Sequence, residues 1–105
     1  RFEESPGSNP EELIAAAHSG CFSMAFAAIL SAAWFAPESV ATSARVSVEK
    51  DGEGFSITRS ALTTEAKVPG IDEATFQKLA QDAKAGCPVS RALAGVEITL
   101  DAKLV

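Results

Sequence analysis

The residues of this sequence whose chemistry could define a function are one histidine and two cysteines. His18 and Cys21 stand three positions apart in the segment HSGCFSMAF, and Cys87 follows far downstream in AGCPVS. Because positions i and i+3 are neighbours on a helix, a Cys–His pair is geometrically possible. A cysteine in an apolar helix is, however, more often a small buried hydrophobic residue than a nucleophile. A reactive Cys21 would need a cation supplied from elsewhere in the fold.

The local sequence favours Cys87 as the more acidic of the two thiols. Cys87 stands at the start of a helical turn that begins with Pro88, where free backbone N–H groups and the helix dipole stabilise a thiolate. His18 is the first cation candidate for Cys21. The favoured interpretation of His18 is nevertheless a structural one, in which the ring packs in the core and hydrogen-bonds to the backbone.

The same residues could also form a metal site or a disulfide. A zinc site built from His18, Cys21 and Cys87 would lack a fourth ligand and a close pair of cysteines, so we expect no metal. A permanent disulfide is unusual in a reducing cytosol, and a reversible, catalytic disulfide fits that compartment better. The sequence has no glycine-rich phosphate loop and no HExxH motif, so we expect no bound cofactor.

Composition and charge limit the class of protein. The chain has 105 residues, of which 47% are hydrophobic and 22% are charged, as is typical of a single globular domain. The net charge is −5 and the basic residues are scattered, which argues against binding to nucleic acid or to a membrane surface. The longest apolar run, CFSMAFAAILSAAWFA, is shorter than the roughly 20 residues of a membrane span. We therefore expect a cytoplasmic protein with a buried apolar helix.

The segment NPEEL carries several agreeing signals for the start of that helix. Asn9 is the predicted N-cap, Pro10 occupies the first helical position, and Glu11 and Glu12 lie in the first turn. The helix should run to about Ala33. After its first turn it is apolar on all faces, which predicts burial on every side and hence an obligate dimer or a covering segment from elsewhere.

The rest of the sequence predicts a hairpin, a second helix and a final strand. The hairpin turns at Asp51-Gly52, and a change of apolar parity in its second strand predicts a bulge near residues 59–61. Asp72 should cap the second helix and Gly86 should end it. The last segment, residues 96–104, alternates as a half-buried strand does. The order α-β-β-α-β predicts an α+β domain with an antiparallel sheet packed against helices.

The segments NPEELIAAAHSGCFSMA, VPGID and KAGCPVS together resemble the OsmC/Ohr family of thiol-dependent hydroperoxide reductases, and its OsmC branch most closely. The resemblance covers essentially the whole chain. It implies a swapped homodimer whose two long central helices pack against antiparallel sheets built from both subunits. Family members carry upstream strands that are exchanged between subunits. We therefore expect residues 1–105 to form a single OsmC-like domain that lacks those N-terminal strands.

The resemblance also implies roles for individual residues. Cys21 corresponds to the peroxidatic cysteine, which becomes a sulfenic acid, and Cys87 corresponds to the resolving cysteine, which condenses with it to a disulfide. Arg1 matches the family's active-site arginine, and Glu11 matches the carboxylate that orients it. The implied substrates are organic hydroperoxides, reduced to alcohols during oxidative or osmotic stress. The implied reductant is an external dithiol, such as reduced lipoamide on a lipoylated protein, and no cofactor is implied.

The family assignment reverses the local ranking of the thiols, since it gives the attack on peroxide to Cys21. Glu11 and Cys21 are about 15 Å apart along a straight helix, so we expect Glu11 and Arg1 to serve Cys21 of the partner subunit. Trp34 stands where relatives commonly carry a small residue, and we expect it to cap the core rather than to shape the peroxide pocket. The alternative function is a non-catalytic OsmC-fold protein that binds a hydrophobic ligand at the dimer interface.

Overall fold

The computed structural model of the protein describes residues 9–105, which fold into helices on one face of a small sheet. The predicted order of elements is confirmed, and the short turn after Cys87 is helical as well. The elements are α1 (Pro10–Ala32), β1 (Ser39–Asp51), β2 (Gly54–Lys67), α2 (Glu73–Gly86), α3 (Pro88–Ala92) and β3 (Glu97–Leu104).

The sheet is mixed, in the order β1-β2-β3. The hairpin strands β1 and β2 are antiparallel, as predicted, with Gly52 in the turn at a φ of +61°. The prediction of an antiparallel sheet is wrong for β3, which runs parallel to β2 from the Arg59–Glu97 pair to the Ala66–Leu104 pair. Two parallel strands need a long crossover connection, because the chain must return to the end of the sheet at which the first strand began. The segment with α2 and α3, which connects β2 to β3, is long enough to make that return.

A bulge in β2 switches which side chains face the core. Ser47 pairs with Arg59 whereas Val48 pairs with Ile57, so Thr58 is the extra residue. The bulge lies one residue before the predicted segment. Beyond it, alternate residues of β2 point inward and are buried, because the extra residue reverses the alternation. The buried side chains are Ser60, Leu62, Thr64 and Ala66.

One stripe of α1 faces this sheet and α2. The helix begins as predicted, with the Asn9 side chain accepting a hydrogen bond from the Glu12 N–H at 2.9 Å. Phe26 packs edge-on against Phe76 of α2, with ring centroids 5.4 Å apart. The fully buried residues of α1 recur every fourth position, which is the spacing of a single helix face. They are His18, Phe22, Phe26 and Leu30.

The opposite face of α1 is apolar and uncovered within one chain. Leu13 is 63% exposed and Met24 is 77% exposed. Burial on every side, which the apolar sequence predicts, is therefore not achieved within residues 9–105. By length and composition α1 could also cross a membrane, a test that core helices pass too. One face of α1 packs against the sheet and α2, as a helix in a protein core does. Small residues separate the large ones along the exposed face, at Ala17, Gly20 and Ala28.

Trp34 ends α1 in a conformation that favours glycine. The Trp34 N–H donates to the Ser31 carbonyl at 3.0 Å and the Phe35 N–H donates to the Leu30 carbonyl at 2.9 Å. This pattern is a Schellman motif, in which the residue after the C-cap is left-handed. Trp34 accordingly has a φ of +69°, and its side chain is 94% exposed. The expectation that Trp34 caps the core is wrong for the isolated chain.

Replacing Trp34 with glycine should raise the free energy of unfolding by about 1 kcal/mol, because glycine adopts a positive φ without steric cost. Urea denaturation at one fixed protein concentration measures the change. Trp34→Ala is the matched control, since it removes the ring but keeps a Cβ, and it should give no such gain. Equal destabilisation by both substitutions would mean that the ring is buried in the assembled protein.

Candidate active site

The fold brings the two cysteines together although 66 positions separate them in the sequence. Cys21 precedes the buried Phe22 in the middle of α1, and Cys87 lies at the junction of α2 and α3. The junction is fixed by the backbone. The Cys87 N–H donates to the Ala83 carbonyl at 2.9 Å, which closes α2, and its own carbonyl accepts from Arg91 at 3.0 Å, which opens α3. Both thiols are free, Cys21 partly exposed and Cys87 fully buried.

The two thiols interact directly and do not share a proton equally. Burial raises the pKa of Cys21 above its usual value, and the hydrogen bond that its thiol donates to Cys87 raises it further. Burial acts to raise the pKa of Cys87 as well, but donors around its sulfur outweigh burial and lower the pKa. Those donors are the Cys21 thiol, the N–H and hydroxyl of Ser90 and the N–H of Val89. Within the described residues the first thiolate therefore forms on Cys87, as the local sequence predicts.

His18 is fully buried behind Cys87 and is held by two serine hydroxyls. Its Nδ1 lies 2.7 Å from Ser60 Oγ and its Nε2 lies 2.7 Å from Ser90 Oγ. Burial lowers the pKa of His18, so the ring is neutral at physiological pH and is no cation for Cys21. The predicted structural role is consistent with this geometry, but the predicted backbone partners are wrong. The polar atoms that reach the ring come from β2 and α3.

This burial should make stability depend on pH. The pKa of His18 is about 6.5 in the unfolded chain and lower in the folded one, so the unfolded chain binds the extra proton first. The contribution of neutral His18 to the free energy of unfolding should therefore be fully present above pH 6.5. Below that pH the free energy of unfolding should fall by up to about 1.4 kcal/mol per pH unit. Urea titrations between pH 5 and 7.5 measure the slope. His18→Gln cannot titrate and should flatten it; an unchanged slope would contradict the assignment.

Comparison with known proteins identifies the family. Residues 3–101 match the family model described as OsmC-like protein. The chain belongs to the OsmC family. Its sequence is 56% identical over 104 residues to Peroxiredoxin OsmC of Escherichia coli K12, covering 99% of this chain and 72% of that protein. It is 33% identical over 96 residues to the organic hydroperoxide resistance protein of Xanthomonas axonopodis pv. citri, covering 90% and 66%.

A solved structure supports the same OsmC fold. The organic hydroperoxide resistance protein OhrB of Bacillus subtilis superposes with a TM-score of 0.77 at 29% identity. The match covers 94% of this chain and 73% of that one. The family resemblance that the cysteine motifs indicate is thus confirmed, and the α+β fold class with it.

Of the two remaining site residues predicted from the OsmC resemblance, the structure describes only Glu11, which does not lie at the thiols of its own chain. Arg1 lies outside the described residues. Glu11 lies in the first turn of α1, about 15 Å along the helix axis from Cys21. It lines a shallow groove together with Arg45 of β1. Within residues 9–105, no cluster of histidine, cysteine and acidic side chains could hold a metal ion.

Ser60 and Ser90 are site residues that the sequence analysis missed. Ser90 follows Cys87 by three positions, at the N3 position of α3, and capping boxes place an N3 side chain against the N-cap. The spacing of Cys87 and Ser90 therefore indicates from the sequence that the Ser90 side chain can reach Cys87. No sequence pattern indicates a role for Ser60, because only the packing of β2 against the helices brings its hydroxyl to His18.

Proposed function

We propose that this OsmC-family protein is a thiol peroxidase that reduces organic hydroperoxides to alcohols in the cytoplasm during oxidative or osmotic stress. The observation that carries the proposal is the contact between Cys21 and Cys87, one partly exposed and one buried. A relative with 56% identity is named a peroxiredoxin, and a more distant one is named for resistance to organic hydroperoxides. Both names agree with chemistry at a pair of thiols.

Cys21 is the thiol that attacks the peroxide, because access favours it over the fully buried Cys87. Its thiolate sulfur bonds to the terminal peroxide oxygen, the O–O bond breaks, and the alkoxide takes up a proton to leave as an alcohol. Cys21 becomes a thiolate when the proton of its thiol passes along the hydrogen bond to the Cys87 sulfur. A guanidinium beside Cys21 favours that transfer, and Arg1, oriented by Glu11, is the group we propose for it.

Cys87 resolves the sulfenic acid. After losing the transferred proton, its sulfur displaces hydroxide from the Cys21 sulfur, so that an S–S bond forms and an S–O bond breaks. A dithiol such as reduced lipoamide, free or on a lipoylated protein, then reduces the disulfide by thiol–disulfide exchange. The cycle needs no bound cofactor.

A second copy of the chain covers the exposed face of α1. The small residues Ala17 and Gly20 between Leu13 and Met24 allow two helices to approach closely, and an apolar face of this size is otherwise exposed to water. We propose that residues 1–105 form a single OsmC-like domain and assemble as a swapped homodimer around paired α1 helices. Antiparallel pairing would bring Glu11 of one subunit toward Cys21 of the other.

Mixed dimers test whether Glu11 acts across that interface. Glu11→Ala and Cys21→Ser should each be inactive alone, yet a heterodimer of the two should recover activity. In it, the intact Cys21 of one subunit faces the intact Glu11 of the partner. Peroxidase assays on heterodimers purified through two different affinity tags measure this. Activity no higher than the homodimers give would place Glu11 and Cys21 in the same chain's site.

The proposed function is tested with reduced protein and cumene hydroperoxide. Both thiols per chain should disappear together as one disulfide forms, and turnover should follow when reduced lipoamide is added. Hydrogen peroxide should be a poorer substrate. Thiols that remain unreacted under these conditions would overturn the peroxidase and favour the alternative, a non-catalytic protein that binds a hydrophobic ligand.

A further inference from the structure

A line of buried polar side chains runs from the sheet to the thiol pair. Ser60 of β2 contacts His18, His18 contacts Ser90, and Ser90 contacts Cys87. Ser60, His18 and Cys87 are fully buried and Ser90 is 5% exposed. Polar groups are costly to bury, and a hydrophobic core of this size does not require them. A role in the chemistry of Cys87 would account for their position.

The direction of these hydrogen bonds depends on the state of Cys87. A neutral imidazole has one N–H donor and one acceptor nitrogen. If His18 donates a hydrogen bond to one of the two serines, it must therefore accept one from the other. A thiolate can only accept. When Cys87 is a thiolate, the Ser90 O–H points at its sulfur, the His18 Nε2–H donates to Ser90 Oγ, and the Ser60 O–H donates to Nδ1. Each donor in the line then has one acceptor.

We propose that His18 is a positioning residue for disulfide closure: by donating to the Ser90 hydroxyl it holds that hydroxyl as a donor to the Cys87 sulfur. The Cys87 thiolate is thereby favoured as the nucleophile that closes the disulfide. It attacks the sulfenic sulfur of Cys21, the S–S bond forms, the S–O bond breaks, and hydroxide leaves and takes a proton from solvent. Cys87 is oxidised and the sulfenic sulfur is reduced. This inference rests on the proposed peroxidase cycle.

The titratable groups that face Cys87 within residues 9–105 are few. The Cys21 thiol contacts it from α1, and His18 faces it from the same helix through Ser90. The charged side chains of the other packed elements are exposed or pair elsewhere. Arg91 is exposed on α3, Lys84 of α2 donates to the Ile98 carbonyl, and Arg59 of β2 pairs with Glu97 of β3. The pH dependence of closure in the described part of the chain therefore reports on the thiol pair and its donors.

The test compares closure rates in Ser90→Ala and His18→Leu with those of the wild type. Sulfenic acid is formed with a pulse of cumene hydroperoxide, and its lifetime is followed by quenching with dimedone and mass spectrometry. Ser56→Ala is the matched control, because its hydroxyl bonds to Asp51 at the hairpin, away from the thiols. His18→Gln is the conservative variant, since its amide N–H can still donate to Ser90.

At pH 7 closure should be about 3- to 10-fold slower in Ser90→Ala and His18→Leu, because one donor to a charged sulfur is lost. Above the pH at which the thiol ionises, both variants should equal or exceed the wild type, because a more basic thiolate is the better nucleophile. His18→Gln should recover most of the rate, and Ser56→Ala should match the wild type. Equal slowing at every pH would overturn the proposal, since it would mean that the serine and histidine only hold the helices in place. An unchanged rate would overturn it as well.

A peroxide-free measurement separates this inference from the proposed function. In a Cys21→Ala background, the ultraviolet absorbance of the Cys87 thiolate is titrated with pH. Adding Ser90→Ala or His18→Leu should move the titration to higher pH, and adding Ser56→Ala should not. If the wild type fails to react with hydroperoxides but the titration shifts, the peroxidase cycle and the closure step are wrong, whereas the donation from His18 through Ser90 to the Cys87 sulfur stands. If the titration does not shift, the positioning role is wrong.

Discussion

Cys21→Ser should abolish peroxidase turnover, by at least about 10³-fold, because a serine hydroxyl does not ionise at working pH and cannot replace the attacking thiolate. Cys87→Ser should also stop turnover, but for a different reason. It should still consume one equivalent of cumene hydroperoxide per chain and accumulate the Cys21 sulfenic acid. Stopped-flow consumption of peroxide measures the burst, and the dimedone adduct locates it by mass spectrometry.

The two serine variants control for one another, because each retains one thiol in the same pocket. The outcome distinguishes acidity from solvent access as the property that selects the nucleophile. Within the described residues, the donors around Cys87 make it the more acidic thiol, whereas access and the family resemblance give the attack to Cys21. A dimedone adduct on Cys87 in the Cys21→Ser variant, with a full burst, would show that acidity and not access selects the nucleophile.

Met24→Glu should dissociate the proposed dimer, raising its dissociation constant by at least about 100-fold. Met24 is 77% exposed in the single chain and lies on the apolar face of α1, so dimerisation would bury a carboxylate from each subunit without a partner. Sedimentation velocity over a range of protein concentrations measures the equilibrium. Because the side chain makes little contact within its own chain, the substitution should leave the monomer folded by circular dichroism.

The matched control for Met24→Glu is Gln81→Glu, which adds the same charge at an exposed position of α2, outside the α1 face. It should remain dimeric. The peroxidase assay adds a second consequence, since loss of the dimer would remove Glu11 of the partner subunit from each site. A Met24→Glu protein that stays dimeric would show that subunits do not pair through the exposed face of α1.

The sequence determined the features that depend on contacts within about four residues. Asn9 and Asp72 cap their helices as predicted, because a capping side chain bonds to backbone only three positions away. The hairpin turn was predicted from Asp51-Gly52, because glycine adopts the positive φ that such a turn requires, and Gly52 does so. The pairing of Cys21 with Cys87 was implied by the resemblance of the two cysteine motifs to the OsmC/Ohr family.

Only the tertiary structure decided how distant segments meet. The parallel direction of β3 depends on how the α2–α3 connection crosses the sheet, which no local pattern encodes. The contacts of His18 with Ser60 and Ser90 span 42 and 72 positions, and each partner is an ordinary serine when seen in sequence. Local preferences arise from short-range sterics and hydrogen bonds, which neighbouring residues specify. The neutrality of His18 arises from burial among segments that only the fold brings together. The hydrogen bond from the Cys21 thiol that helps to lower the pKa of Cys87 likewise depends on the fold.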